Sequence, residues 1–274
     1  MTEQIYHQFN GLVFGYKPGD PYAFGLSGGD GLEDTSMTDG ILPPRGADGR
    51  GIAPMWADPG GWVTELTIHE GDPGVWAERR DALRAGTSPV LDRSTELPYD
   101  MVYNDEDVRT RFGRPGRRII PTNEQYLVRR VLDAQIAFTA SDPYTYGPDT
   151  ESDPLSAGDT LPMDSTGWAF SQRWTWVVQG PATRPQIALT VDGFDDQILR
   201  YNGTVSGGSE LRVESTPNGL VTTLDGVNVF GSFDGGTGVE LPGFFSIPPG
   251  EQVLLYDNAG GAGTSVFTWR TAMY

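Results

Sequence analysis

LVRRVLDAQIAFTASDP, residues 127–143, is the stretch on which the reading of this chain turns. Its even positions are mostly apolar: Val128, Leu132, Ala134, Ile136, Phe138 and Ala140. Its odd positions are mostly polar or small: Arg129, Asp133, Gln135, Ala137 and Thr139. A period of two belongs to a strand with one buried face, because successive side chains point to opposite sides. Residues 127–140 drawn out as one strand would reach roughly 46 Å, long for a single strand. Ser141-Asp142-Pro143 ends the run, since proline has no N–H for the ladder. The chain differs in character on either side of that stop, which predicts two domains.

Working back from it, residues 5–16 (IYHQFNGLVFGY) predict a first strand broken at Gly11, with Tyr22-Ala23-Phe24-Gly25-Leu26 as its partner. Residues 28–59 are rich in Gly, Asp and Pro without periodicity and predict a long loop, in an ordered domain usually functional or a contact arm. Residues 62–70 (WVTELTIHE) alternate, with Trp62, Leu66 and Ile68 on one face. The convincing helix follows. Asp72 can cap it, Pro73 suits its first position and Gly86 suits a left-handed stop. Trp76 and Leu83, with Val75 and Ala82, form its apolar stripe. Residues 99–104 and 108–113 flank Asp105-Glu106-Asp107 as a hairpin, and residues 116–121 (GRRIIP) predict a further strand.

Working forward, residues 146–166 are Pro-, Asp- and Ser-rich and read as a linker. From residue 167 the chain becomes short strands at 168–178, 185–191, 197–202, 209–214, 219–224, 227–231, 243–247, 251–256 and 264–270. Turn pairs such as Asp192-Gly193, Asn218-Gly219 and Asp225-Gly226 punctuate them. Short strands at that spacing predict a β-sandwich or jelly roll. The expected organisation is therefore residues 1–145, a linker at 146–166, and a sandwich at 167–274.

Composition agrees with a mostly β chain. There are 37 glycines and 21 prolines among 274 residues, which suits many short elements joined by turns. Cysteine is absent, so neither disulfides nor thiolate metal sites can form. No apolar run reaches 18 residues, so no membrane-spanning helix is expected. MTEQIYHQFN at the start lacks the charged and apolar regions of a signal peptide. The net charge is −18, and residues 1–146 and 147–274 are each acidic, so neither half is suited to gripping phosphate.

Catalytic patterns are weak. With only His7 and His69, a histidine-based acid–base or metal role has little to work with. There is no phosphate-cradling G-x-x-x-x-G-K-[ST] loop. The glycine run at 260–264 joins two predicted strands and reads as a hairpin loop. Asp192, Asp195 and Asp196 cluster as calcium ligands would, but a solvated turn explains them better. Neither catalysis nor a cofactor is expected. Seven arginines, at 109, 111, 114, 117, 118, 129 and 130, concentrate in one region. No helix or aromatic comb accompanies them, as nucleic-acid binding would need. Interface ion pairs suit forked guanidinium groups better.

In its order of elements the chain resembles the distal tail proteins of long, non-contractile-tailed bacteriophages. The pieces that carry the resemblance are Phe138-x-Ala140-x-Asp142-Pro143 within AFTASDPYTYG, and the closing SIPPGEQVLLYDNAGGAGTSVFTWR with Pro249-Gly250 before Trp269-Arg270. The long loop at 28–59 and the stretch at 143–166 depart from it. The resemblance implies a tail-tube-like split β-barrel with one helix, followed by a galectin-like sandwich projecting outward. It also implies a homo-hexameric ring in the virion, at the distal end of the tail. That ring joins the tail-tube protein to tip and tail-associated proteins, with the tape-measure protein as a further partner. DNA passes through without being bound. On this reading the ring contacts are Trp76, Leu83, Arg109, Arg111, Arg129, Asp133 and Gln135. Two other readings remain open. One is a carbohydrate-binding sandwich with Trp174 and Trp176 as glycan contacts, supplemented by Trp168 and Trp269. The other is a carboxylate-based glycoside hydrolase.

Overall fold

Period-two alternation is answered by antiparallel pairing almost everywhere. The computed structural model describes residues 5–15, 22–30, 37–38, 56–57, 61–69, 72–88, 96–103, 107–120, 131–140, 142–167, 169–191, 196–216, 219–233 and 245–273. The chain divides into two units, Met1–Thr145 with Tyr274, and Tyr146–Met273.

The first unit contains β1 (Ile5–Phe9), β2 (Leu12–Gly15), β3 (Tyr22–Asp30), β4 (Met37–Thr38), β5 (Trp56–Ala57), β6 (Gly61–His69), α1 (Pro73–Gly86), β7 (Leu97–Tyr103), β8 (Asp107–Ile119) and β9 (Val131–Thr139). The strand expected over 127–140 is observed as β9, and Leu127–Arg130 lie outside the described residues. β9 pairs with β6 in continuous register from Gly61↔Thr139 to His69↔Val131. That register sets Trp62 opposite Phe138, Thr64 opposite Ile136 and Leu66 opposite Ala134, all buried. The alternate pairs, Val63–Ala137, Glu65–Gln135 and Thr67–Asp133, face out. The described strands run β8–β7–β1–β2–β3–β6–β9, and β9 pairs again with β8, which closes the sheet into a barrel. Closure leaves neither β8 nor β9 as a free edge.

The barrel interior is aromatic. Trp62 stacks on Phe138 at 5.0 Å, and Tyr99 meets both edge-on at 5.4 and 5.3 Å. Phe9 meets Phe138 edge-on at 4.9 Å. α1 buries Trp76 and Leu83 in the same core and touches β2 and β6. Full burial of one such side chain is worth roughly 1.5–3 kcal/mol. The Asp72 carboxylate caps the helix by accepting from the Gly74 and Val75 amides at 2.7 and 3.2 Å.

Several expectations are corrected here. Residues 5–16 are not one broken strand. Asn10 and Gly11 have φ of 46° and 77°, so β1 and β2 form a two-residue hairpin of the Asn-Gly kind. Residues 116–121 are not a separate strand, because β8 continues through them to Ile119 with an irregularity between Pro115 and Arg118. Gly86 does not end the helix left-handed. It is the last helical residue, and Thr87 at φ −108° follows it. A Cβ there would lie 2.8 Å from Leu12 Cδ1, so a larger residue would require the Leu12 side chain to shift. Val75 and Ala82 are exposed, so the buried stripe of α1 is narrower than expected. Most of the predicted loop at 28–59 lies outside the described residues, though β3 runs to Asp30 and β4 pairs with β5.

The second unit contains β10 (Thr145–Glu151), β11 (Thr160–Ser165), β12 (Trp174–Gln179), β13 (Ala182–Thr183), β14 (Gln186–Val191), β15 (Gln197–Arg200), β16 (Thr204–Val205), β17 (Glu210–Thr216), β18 (Gly219–Leu224), β19 (Val227–Asn228), β20 (Gly250–Asp257) and β21 (Thr264–Met273). The sequence 146–166 is not a linker. Its composition is turn-rich, yet Tyr146, Leu155 and Met163 are buried, and both β10 and β11 are built from it. Of the expected strand at 243–247, residues 243–244 lie outside the described residues, and the rest forms an isolated bridge between Ile247 and Ser171. One sheet runs β19–β18–β17–β12–β21–β10 and the other β11–β20–β14–β15. Trp174, Trp176, Leu211, Val213 and Phe267 of the first meet Ile187, Leu189, Leu199, Leu254 and Tyr256 of the second in one core. This is a β-sandwich, so the chain is mainly β with, among the described residues, one α-helix.

Candidate functional site

The residues expected at a ring interface do not share one surface. Trp76 and Leu83 are 2% and 0% exposed, inside the core of their own unit. The apolar face of α1 is spent against β2 and β6, so these two residues are corrected from ring contacts to core residues. Arg111 is likewise corrected. It is 1% exposed, with its guanidinium 5.1 Å from the centroid of the Trp62 ring inside the barrel. Burial pulls its pKa below the ordinary guanidinium value, and the nearby Asp142 charge opposes that shift. Asp142 is itself buried and accepts from the Tyr144 amide at 3.0 Å.

The remaining arginines point in different directions because successive strand residues alternate. Arg109, Arg114 and Arg117 are exposed on β8. Arg118 is half-buried and donates to the Arg84 carbonyl at the end of α1, where a cation suits the helix dipole. Arg129 and Arg130 lie outside the described residues.

Asp133 and Gln135 are exposed on the outer face of the barrel. Thr67 Oγ1 donates to Asp133 Oδ1 at 2.9 Å, and Gln135 Nε2 donates to Glu65 Oε1 at 2.6 Å. Both are directly opposed cross-strand pairs of β6 and β9. Asp133 and Gln135, together with Arg109 on β8, are the expected ring residues that the structure describes at the surface.

The candidate glycan contacts are corrected. Trp174 and Trp176 are 2% and 0% exposed. Their indole N–H groups are committed inside the sandwich, to the Phe245 carbonyl at 3.0 Å and to Ser265 Oγ at 2.8 Å. A ring with both faces in the core cannot stack on a sugar. Trp269 is also buried, and Trp168 lies outside the described residues.

His7 sits in the barrel core, with Nδ1 3.0 Å from Tyr99 Oη, which in turn lies 3.3 Å from Thr64 Oγ1. Burial lowers the His7 pKa to about 4. His69 has no described side chain. Asp192 and Asp195 also lie outside the described residues, and the glycine run at 260–264 joins β20 to β21 as expected.

Depressions open among the described residues of the second unit. One, about 470 Å³, is lined by Pro162, Asp164, Thr190, Glu251 and Val253, with Asp164 directly across from Glu251. Another, about 260 Å³, is lined by Arg184, Gln186, Arg200, Asp257, Asn258 and Ala259. Sequence reasoning missed the second. Its residues come from three separate segments, and no spacing in the chain connects them.

No protein-family model matches the chain, and no curated protein matches it in sequence. Solved structures do. The Dit protein of phage SPP1, a paradigm of the hub adsorption apparatus in phages infecting Gram-positive hosts, aligns over 97% of this chain and 98% of its own. The TM-score is 0.59 at 17% identity. The baseplate of phage P2, in its activated conformation with Ca, contains a chain that aligns over 98% of both chains, with a TM-score of 0.58 at 10% identity. The same baseplate with Sr gives the same values. Through both of its units, this chain has the fold of phage tail hub and baseplate proteins.

Proposed function

We propose that this chain is a structural subunit of a phage tail tip. Copies of its barrel unit assemble as a hexameric ring at the distal end of the tail. The ring joins the tail-tube protein above to tip and tail-associated proteins below, with the tape-measure protein as a further partner. It leaves a channel through which DNA passes, and it works without catalysis. The observation that carries this reading is the extent of the shared fold: both units align nearly end to end with SPP1 Dit, on a chain of matching length.

Two physical features support it. The net charge of −18 repels a passing polyanion, so a ring built from this chain would not retain DNA. The outer polar wall of β6 and β9 offers Glu65, Thr67, Asp133 and Gln135 to a neighbouring copy or to the channel, with Arg109 as the arginine contact.

Mass in solution tests the proposal, together with immunogold labelling of virions. A ring predicts a species at six times the 29.7 kDa protomer and label at the tail tip. A protein that stays monomeric at all concentrations, with no label on virions, removes the reading.

A further inference from the structure

In an antiparallel sandwich the outer side of each sheet is ordinarily polar, because only the inner side is packed. One sheet of the second unit follows this rule on β17. Arg212 and Glu214 face out there and lie 3.8 Å apart, and Glu210 accepts from Gln179 at 2.8 Å.

The other sheet, β11–β20–β14–β15, departs from it. Its register puts Pro162 beside Val253, and Leu255 beside Ala188, which in turn faces Ile198. Their strand neighbours Met163, Leu254, Leu189 and Leu199 are buried in the core, so alternation turns these five residues to the outside. Val253 is 44% exposed and Pro162 is exposed as well, while Leu255, Ala188 and Ile198 are half-buried. Together they form an apolar belt across four strands, and the 470 Å³ depression opens at Pro162 and Val253. Single valines on a surface are ordinary, whereas a contiguous apolar belt marks a contact surface.

The belt ends at two carboxylates. Asp164 on β11 stands directly opposite Glu251 on β20, two residues along from Pro162 and Val253 and on the same face. Both are exposed. Like charges directly opposed across a ladder destabilise it. No cation lines the depression, and among the described residues neither carboxylate makes an ion pair or a hydrogen bond. Glu214, by contrast, has Arg212, and Asp149 has Arg270 at 2.6 Å. Charge complementarity therefore assigns Asp164 and Glu251 to a cation from outside the protomer. A bare metal ion is a poor match, since two side chains fall short of the roughly six to eight oxygens that calcium takes. No aromatic ring lines the depression to stack on a sugar. An apolar centre with a charged rim is the anatomy of a protein interface, and the partner supplies the opposite sign.

We propose that this outer face docks a segment of another protein in which apolar side chains are followed by lysine or arginine. The apolar side chains lie on Pro162, Val253 and Leu255, and the cation sits between Asp164 and Glu251. The proposal does not depend on the tail-tip reading.

Calorimetric titration of the full-length protein with the peptide acetyl-Val-Leu-Val-Lys-Arg-amide tests it at physiological ionic strength, where the Debye length is about 8 Å. Saturable binding is expected, weakened at least about fivefold, or 1 kcal/mol, by Glu251→Gln and by Val253→Thr. Glu251→Gln separates binding from folding, because it relieves the opposed charges and its melting temperature should hold or rise. Threonine keeps the β-branched shape that suits a strand, so Val253→Thr changes the polarity of the face and not the sheet. Glu214→Gln, on the outer side of the other sheet, should bind as the parent does. The proposal is overturned if the peptide does not bind or if either face variant binds normally. It is also overturned if acetyl-Ser-Gly-Ser-Lys-Arg-amide or acetyl-Val-Leu-Val-Gln-Gln-amide binds equally well. Equal weakening by Glu214→Gln would reduce the attraction to net charge and overturn it too. If the parent self-associates and Val253→Thr abolishes that association, the face is a contact between copies and the proposal falls.

Discussion

Arg111 lies with its guanidinium 5.1 Å from the centroid of Trp62, inside a closed barrel, with buried Asp142 as the nearby opposing charge. Asp142 belongs to the Asp-Pro stop that ends β9, so one charge interaction ties the middle of β8 to the point where the barrel chain ends. Removing one partner of a buried ion pair strands the other, at a cost of about 3–5 kcal/mol. Asp142→Ala should therefore lower the unfolding free energy in urea by that order. Arg111→Met should cost less, because the methionine fills the site over Trp62 without leaving a buried cation. Equal costs for the two changes would show that the charge pairing is not what matters at this position.

His7 should make the protein acid-sensitive. Burial places its folded pKa at about 4, below the ordinary 6.5. Between those values the unfolded chain takes up a proton that the folded one refuses, so stability falls as pH falls. The contribution is fully present above pH 6.5 and lost by pH 4, amounting to about 3 kcal/mol. Replacing His7 by Gln should remove this slope while leaving the background acid sensitivity of the carboxylates. Denaturant midpoints measured from pH 7 to pH 4 for both proteins will show the difference. Parallel curves would mean that His7 does not titrate as its burial implies.

Trp176 behaves as core if Trp176→Phe destabilises the chain. The change removes the indole N–H bond to Ser265 Oγ and part of a fully buried ring. Loss of the bond leaves a buried hydroxyl unsatisfied, worth about 1–3 kcal/mol, and the lost volume adds to it. A stability change below about 0.5 kcal/mol would be incompatible with this placement.

Asp133 and Gln135 give the opposite pattern. Their bonds to Thr67 and Glu65 are exposed, so the double change Asp133→Ala, Gln135→Ala should alter protomer stability by no more than about 1 kcal/mol. If the outer wall of β6 and β9 contacts a neighbouring copy, the same change should reduce the hexamer fraction in mass photometry. Unchanged assembly would remove this wall from the ring interface.

Much of the fold was legible because it is written in short-range periodicity. The alternation in 131–139 announced β9 and its buried face, and Asp72-Pro73 announced the start of α1. Trp62, Leu66 and Ile68 were placed on one face and are buried together. The errors arose where local composition and tertiary use part company. Residues 146–166 look like a linker by content, but Leu155 and Met163 are recruited into the sandwich core and Tyr146 is buried. An arginine such as Arg111 reads as surface by type, yet an aromatic face and a buried carboxylate admit it to the interior.

The sequence by itself determined most of the strands, the apolar face of those that alternate clearly, and that the whole is acidic and largely β. These follow from side-chain alternation and charge, which a linear pattern records. The tertiary structure alone decided that β9 returns to β8 and closes the barrel. It also decided that Trp174 and Trp176 are spent on packing, and that Arg184, Arg200 and Asp257 line one depression. Each of these depends on which residues from distant segments share a space, and register and closure settle that only when the strands pair.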